Sequence, residues 1–131
     1  MEITDERKYT GGFDIEQIQW LSDELKNTDK TTPLILANHM PFVNPYSLLS
    51  DTLPVMTKPF REALDLFEGY NLKLVLQGHS HELSDVLVRG IHFLSGGTTI
   101  MQKNNVLEKE GFIIISIDKQ NIEWKFNSTH K

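Results

Sequence analysis

Leu72-Lys73-Leu74-Val75-Leu76-Gln77-Gly78-His79-Ser80-His81 is an apolar run that breaks abruptly into a glycine and two histidines. A short apolar run bounded by such turn chemistry reads as a buried strand over 72–76. An earlier stretch follows the same plan: Leu34-Ile35-Leu36-Ala37 lies between Pro33 and Asn38-His39-Met40-Pro41. Between the two runs, residues 58–69 predict a helix. Thr57 can cap it, Pro59 falls in its first turn, Phe60, Ala63, Leu64 and Phe67 line one face, and Gly69 can end it. A strand-helix-strand unit closing on one sheet places its strands parallel through a right-handed crossover. Both strands then end on one edge, where ligand sites of open α/β sheets lie. Topology is thus expected to bring His39 and His79 together from distant points in the chain.

In an extended segment, side chains two apart face the same way, so His79 and His81 are expected to look into one cavity. Gly78 just before them removes a side chain and permits unusual backbone torsions, which is expected to help the loop approach a metal closely. Neutral imidazole suits zinc, iron, nickel and manganese. The chain has no cysteine, so any metal must be held by nitrogen and oxygen. The plainer alternatives are a surface turn with two solvated histidines at 78–81 and a capping or turn role for His39. His92 falls inside a predicted strand and reads as a packed, hydrogen-bonded histidine, and His130 as a tail residue.

Outward from this centre, Asp14 and Gln17 have the spacing of a capping box, with Phe13 and Ile18 placed as a hydrophobic staple. Ile15, Ile18, Leu21 and Leu25 then recur at helical spacing, and the helix should fade by Asn27. Residues 40–57 hold Pro41, Pro45 and Pro54 and read as loop, with one helical turn near Tyr46–Ser50. Asn44 and Tyr46 in this loop, with Asn38 beside His39, are substrate-side candidates. Ordinary turn chemistry is the competing reading for Asn44 and Tyr46. Val86-Leu87-Val88 and Ile91-His92-Phe93-Leu94 flank Arg89-Gly90 as a hairpin, and Gly96-Gly97-Thr98-Thr99 reads as a turn near the site edge. Lys103–Glu110 reads as a solvated loop. Phe112–Ile117 is a strongly apolar strand, and Ile122, Trp124 and Phe126 alternate as a half-buried partner across a turn at 118–121. Trp20 and Trp124 are expected in core or sheet packing. Alternation of strand and helix followed by hairpins predicts an α/β fold with mixed sheets.

Asn38-His39-Met40-Pro41, followed some forty residues later by Gly78-His79-Ser80-His81, resembles the closing motifs of the calcineurin-like metallophosphoesterases. Gln17 with Trp20-Leu21, and Ile91-His92-Phe93-Leu94-Ser95-Gly96-Gly97, also fit that family's pattern. The resemblance spans roughly residues 11 to 126 and covers the last two of the family's five sequence blocks. The aspartate-x-histidine, glycine-aspartate-x-x-aspartate and glycine-asparagine-histidine blocks do not occur in the sequence. The resemblance implies half of a four-layer α/β/β/α sandwich: a loose lead-in at 1–12, the C-terminal half of the domain at 13–127 and a tail at 128–131. It implies that His39 and His79 bind one metal of a pair and His81 the other. Two divalent ions about 3.5–4 Å apart polarise a phosphoryl oxygen and lower the pKa of a bridging water. Manganese, iron, zinc and nickel are not distinguished by this donor set. Three histidines cannot neutralise or bridge two such ions, so the absent blocks would supply carboxylates and the leaving-group histidine.

The expected function is therefore metal-dependent hydrolysis of a small phosphoester. The chain is expected to be inactive alone and to depend on the other half or on self-association. A non-catalytic metal-binding or partner-binding module of the same ancestry is the alternative. The net charge of −5 argues against a nucleic-acid backbone as partner, although bound cations can still attract a phosphate ester. Hydrophobic residues make up 39% of the chain and charged ones 24%, an ordinary globular composition. No apolar run reaches membrane-span length and no signal-peptide core follows the N-terminus, so a cytoplasmic location without membrane contact is expected.

Overall fold

The computed structural model describes residues 2–3, 9–10, 12–43, 45, 60–97, 110–119 and 121–129. Two short strands, β1 (Glu2–Ile3) and β2 (Tyr9–Thr10), pair antiparallel where the sequence suggests only a loose lead-in. Helix α1 (Ile15–Lys26) starts at the expected capping box: the Gln17 amide donates to Asp14 Oδ1 at 2.7 Å, and the Asp14 amide to Gln17 Oε1 at 3.0 Å. Two otherwise orphaned amides are satisfied reciprocally, which fixes the first turn. Its inner face carries Ile18, Leu21 and Leu25 into the core. Trp20 does not follow them. It points outward and is 63% exposed, because only part of the helix circumference meets the sheet. Ile15 is exposed too.

The central unit runs β3 (Leu34–Ala37), α2 (Phe60–Asp65), β4 (Leu72–Gln77), β5 (Leu83–Val88) and β6 (Ile91–Gly96). These strands form one mixed sheet in the order β3-β4-β6-β5. β3 is parallel to β4, β4 is parallel to β6, and β5 is antiparallel to β6. The parallel strand-helix-strand unit is thus present. Helix α2 is shorter than its sequence pattern. After Leu66 the bonds shorten to three-residue steps, with Phe67 donating to Leu64 O and Tyr70 to Phe67 O, and Gly69 at φ 80° ends the winding. Its expected cap Thr57 and first-turn Pro59 lie outside the described residues. At the β5–β6 turn, Arg89 (φ 51°) and Gly90 (φ 79°) take successive left-handed conformations that match the twist of a two-residue hairpin.

Period-two alternation gives the sheet two faces, both buried on the central strands β4 and β6, while Ile35 and Leu87 on the outer strands are exposed. Val75 and Phe93, paired across β4 and β6, join Leu21, Leu25, Phe42, Ala63 and Phe67 in the helix-side core. Leu74 and Leu94 alternate with them and point the opposite way, yet both are fully buried. Burying such side chains contributes roughly 1.5–3 kcal/mol each. Their face is met by a separate two-stranded sheet, β7 (Gly111–Asp118) with β8 (Asn121–Ser128). The tie is explicit: the Trp124 indole of β8 donates to Asp85 Oδ2 of β5 at 2.7 Å. Asp85 pairs with Leu94, so it stands on that same face. The architecture is mixed α/β, with one mixed sheet of four strands and a two-stranded sheet. Among the described residues, no helix is long and apolar enough to cross a membrane.

Candidate metal centre

The carboxyl ends of β3, β4 and β6 share one edge of the sheet with the amino end of β5. Asn38-His39 leaves β3 there, and Gly78-His79-Ser80-His81-Glu82 connects β4 to β5. The two segments are stitched together by backbone. The Asn38 amide donates to Leu76 O at 2.9 Å, and the Gly78 amide donates to His39 O at 3.0 Å. The His39 and His79 rings meet edge to face, with centroids 5.4 Å apart and planes at 85°. Two imidazoles on one zinc-sized ion, with metal–nitrogen bonds of about 2.0–2.1 Å at a tetrahedral angle, place their ring centres roughly 5 Å apart. The observed spacing fits that requirement.

Backbone geometry around the histidine pair differs from the extended segment expected. His79 (φ 66°) and His81 (φ 55°) both adopt the left-handed conformation, so they are not related by strand alternation. Such torsions cost an L-residue about 1–2 kcal/mol each. Gly78 does not take up the unusual torsion. A Cβ there would sit 3.4 Å from His39 Nδ1, at ordinary van der Waals distance from the ring. Non-glycine strain of this kind concentrates at functional sites, where surrounding structure enforces it.

Electrostatics favour the neutral imidazole that a metal needs. Burial lowers the His79 pKa below its usual 6.5, and the nearby charges of His39 and His81 push it in the same direction. Glu82 follows directly. Burial raises its carboxyl above the usual range, and its Oε2 is buried with no hydrogen-bond partner. Ser80 Oγ and Ser84 Oγ are buried and unpartnered in the same five-residue stretch. A buried carboxylate oxygen without a donor is a group that a cation would relieve. The donor set therefore fits a divalent metal in its chemistry. In geometry it is incomplete: among the described residues, no three His, Asp or Glu side chains lie close enough together to hold a metal ion. The fold brings His39 and His79 into contact, whereas His81 stands within electrostatic reach but outside a ligating cluster.

Other candidates divide clearly. The Asn38 side chain donates to Met40 O, closing the turn after His39. Asn44 and Tyr46 lie outside the described residues, as do Thr98, Thr99, His130 and most of the Lys103–Glu110 loop. His92 is the hydrogen-bonded histidine expected, its Nδ1 lying 2.9 and 3.1 Å from the two Asp85 oxygens. Ala37, Asn38, His39, Leu76, Gln77 and Gly78 line a shallow open depression of about 380 Å³ at the edge. Sequence reasoning missed two residues here. Glu82 carried a signal, being an acidic residue directly after a histidine pair. Gln77, a buried amide bonded across the sheet edge, carried none that periodicity reveals.

No family model matches the chain. No curated protein matches it significantly either.

Proposed function

We propose that the chain takes part in metal-dependent phosphoester hydrolysis as the histidine-bearing half of a calcineurin-like metallophosphoesterase domain. The observation that carries this reading is the contact of the His39 and His79 rings across adjacent parallel strand ends. The left-handed torsions at His79 and His81 support it, as does the orphaned carboxylate of Glu82. In this reading His39 and His79 hold one divalent ion, of the manganese, iron, zinc or nickel group, and His81 turns toward a second. When bound, such ions polarise the phosphoryl oxygen and acidify a water. Of the chain's own residues, His79 supplies a nitrogen donor whose neutral form is favoured by burial and by the neighbouring His39 and His81. A bridging aspartate and the leaving-group histidine would come from a partner segment carrying the three acidic and histidine blocks, completing the four-layer sandwich. The substrate class is a small phosphoester.

The test is hydrolysis of an aryl phosphodiester with added manganese, nickel or zinc. The chain alone is expected to give little turnover. Turnover should appear when a segment bearing the missing blocks is supplied, and should vanish in His79→Ala. Robust turnover by the chain alone would contradict the half-site, and silence in both mixtures would contradict catalysis.

A second reading, a non-catalytic metal-binding or partner-binding module, is favoured by the exposed Phe112 and Ile114 on the outer face of β7. Sedimentation separates the two. Self-association lost in Phe112→Lys without turnover in either mixture supports the module.

A further inference from the structure

We infer that Gln77 is a positioning residue that sets the distance between His39 and His79. This rests on the metal-site reading for its purpose, but the contact it controls is measurable without metal. Gln77 is the last residue of β4, one step before Gly78 and two before His79. It is a buried polar residue, 5% exposed, on the helix-side face of the sheet edge. Its Oε1 accepts from the Phe42 amide at 3.0 Å and the Val43 amide at 3.4 Å. Its Nε2 donates to Val43 O and, at 3.1 Å, to Ser95 Oγ of β6. A primary amide has two acceptor sites and two donor hydrogens, and here all four are engaged.

The consequence is geometric. Residues 38–43 leave β3 as an irregular segment without strand pairing of its own. Its near end is held by the Asn38 and Gly78 backbone bonds, and its far end by the Gln77 amide and the buried Phe42 ring. His39 lies at the near anchor, its own carbonyl accepting from the Gly78 amide, and the Gln77 bonds fix how the chain leaves it. Because the far anchor is also the residue that launches Gly78-His79, one side chain registers both histidine segments against each other. A residue needed only to fill this space would be served by methionine, which has similar length and makes none of the four bonds.

The experiment compares Gln77→Met, Gln77→Glu and Leu25→Ala with the unmodified protein. Leu25→Ala weakens the helix-side core while leaving all four Gln77 bonds in place. Two readouts are taken where circular dichroism shows a folded chain: the ring-proton nuclear Overhauser contact between His39 and His79 without metal, and the affinity for zinc by calorimetry. Gln77→Met is expected to lose the ring contact and to weaken zinc by about 10–100-fold, as loss of a ligand-orienting partner does, while Leu25→Ala stays within about twofold. Gln77→Glu, which keeps the acceptor for the Phe42 amide, should fall between. If Gln77→Met does not fold, Ser95→Ala, which removes one of the four bonds, should show a smaller loss of the same kind. Retention of ring contact and affinity in Gln77→Met, or equal losses in Leu25→Ala, would overturn the inference. A ring contact that depends on Gln77 in a protein that binds no zinc would instead leave the positioning role standing and sink the metal reading.

Discussion

The sheet holds its histidines in two opposite ways. Near the start of β6, His92 sits on regular strand backbone, and Asp85 answers it with a carboxylate that also accepts from Trp124. At the carboxyl edge, His39 and His79 face each other, and His79 and His81 take left-handed torsions. The aspartate gives His92 a hydrogen-bonding partner within the sheet, an arrangement that serves packing. At the edge, burial and the neighbouring His39 and His81 lower the His79 pKa, which favours its neutral, lone-pair-donating form. The first arrangement serves the fold, and the second is the one on which the proposed metal site rests.

The largest effect that sharpens this contrast belongs to Asp85. Asp85→Ala strips the acceptor from both the Trp124 indole and His92 and should destabilise the fold by roughly 2–4 kcal/mol. A denaturant midpoint shift without loss of zinc affinity is the expected pair of results. A concurrent loss of affinity would erase the distinction between the two regions. His81→Gly should act the other way. Relief of the left-handed torsion stabilises the metal-free fold by about 1 kcal/mol. A raised melting temperature together with weakened metal binding is expected, and a lowered one would show that the His81 side chain is needed for folding.

The smallest effect is in pH dependence. The Glu82 carboxyl is raised above its usual 4.5, so the folded chain holds that proton more tightly than the unfolded chain does. Stability should therefore fall as pH rises through the window above 4.5. Glu82→Gln should be more stable than the parent at pH 7, with the difference vanishing below pH 4.5. His79 has the opposite sign. Its pKa lies below 6.5, so the metal-free chain should gain stability as pH rises toward and through that value. A Glu82→Gln melting-temperature profile parallel to the parent's between pH 4 and 8 would contradict the first assignment, and a parallel His79→Ala profile the second.

Much of this was legible in sequence where local chemistry is strong. The capping box at Asp14 and Gln17, the parallel strands at 34–37 and 72–77, and the Arg89-Gly90 hairpin all follow from propensity and pattern. The meeting of His39 and His79 followed from topology alone. What escaped was tertiary. The glycine at 78 drew attention as the flexible point, yet the left-handed torsions fell on its histidine neighbours because loop closure into β5 demanded them there. The Gln77 bonds reach back 34 and 35 residues, and no periodicity marks such a partner. Trp20 matched a family pattern and was expected inside, but the helix buries only the stripe of Ile18, Leu21 and Leu25.

The most direct test of the central claim is a calorimetric zinc titration at pH 7 of the unmodified chain, His79→Ala and His92→Ala. Binding should weaken by at least about 100-fold in His79→Ala and stay within about twofold in His92→Ala. Equal affinity in the chain and in His79→Ala, or a loss confined to His92→Ala, would contradict the assignment of the strand-end histidines as metal ligands.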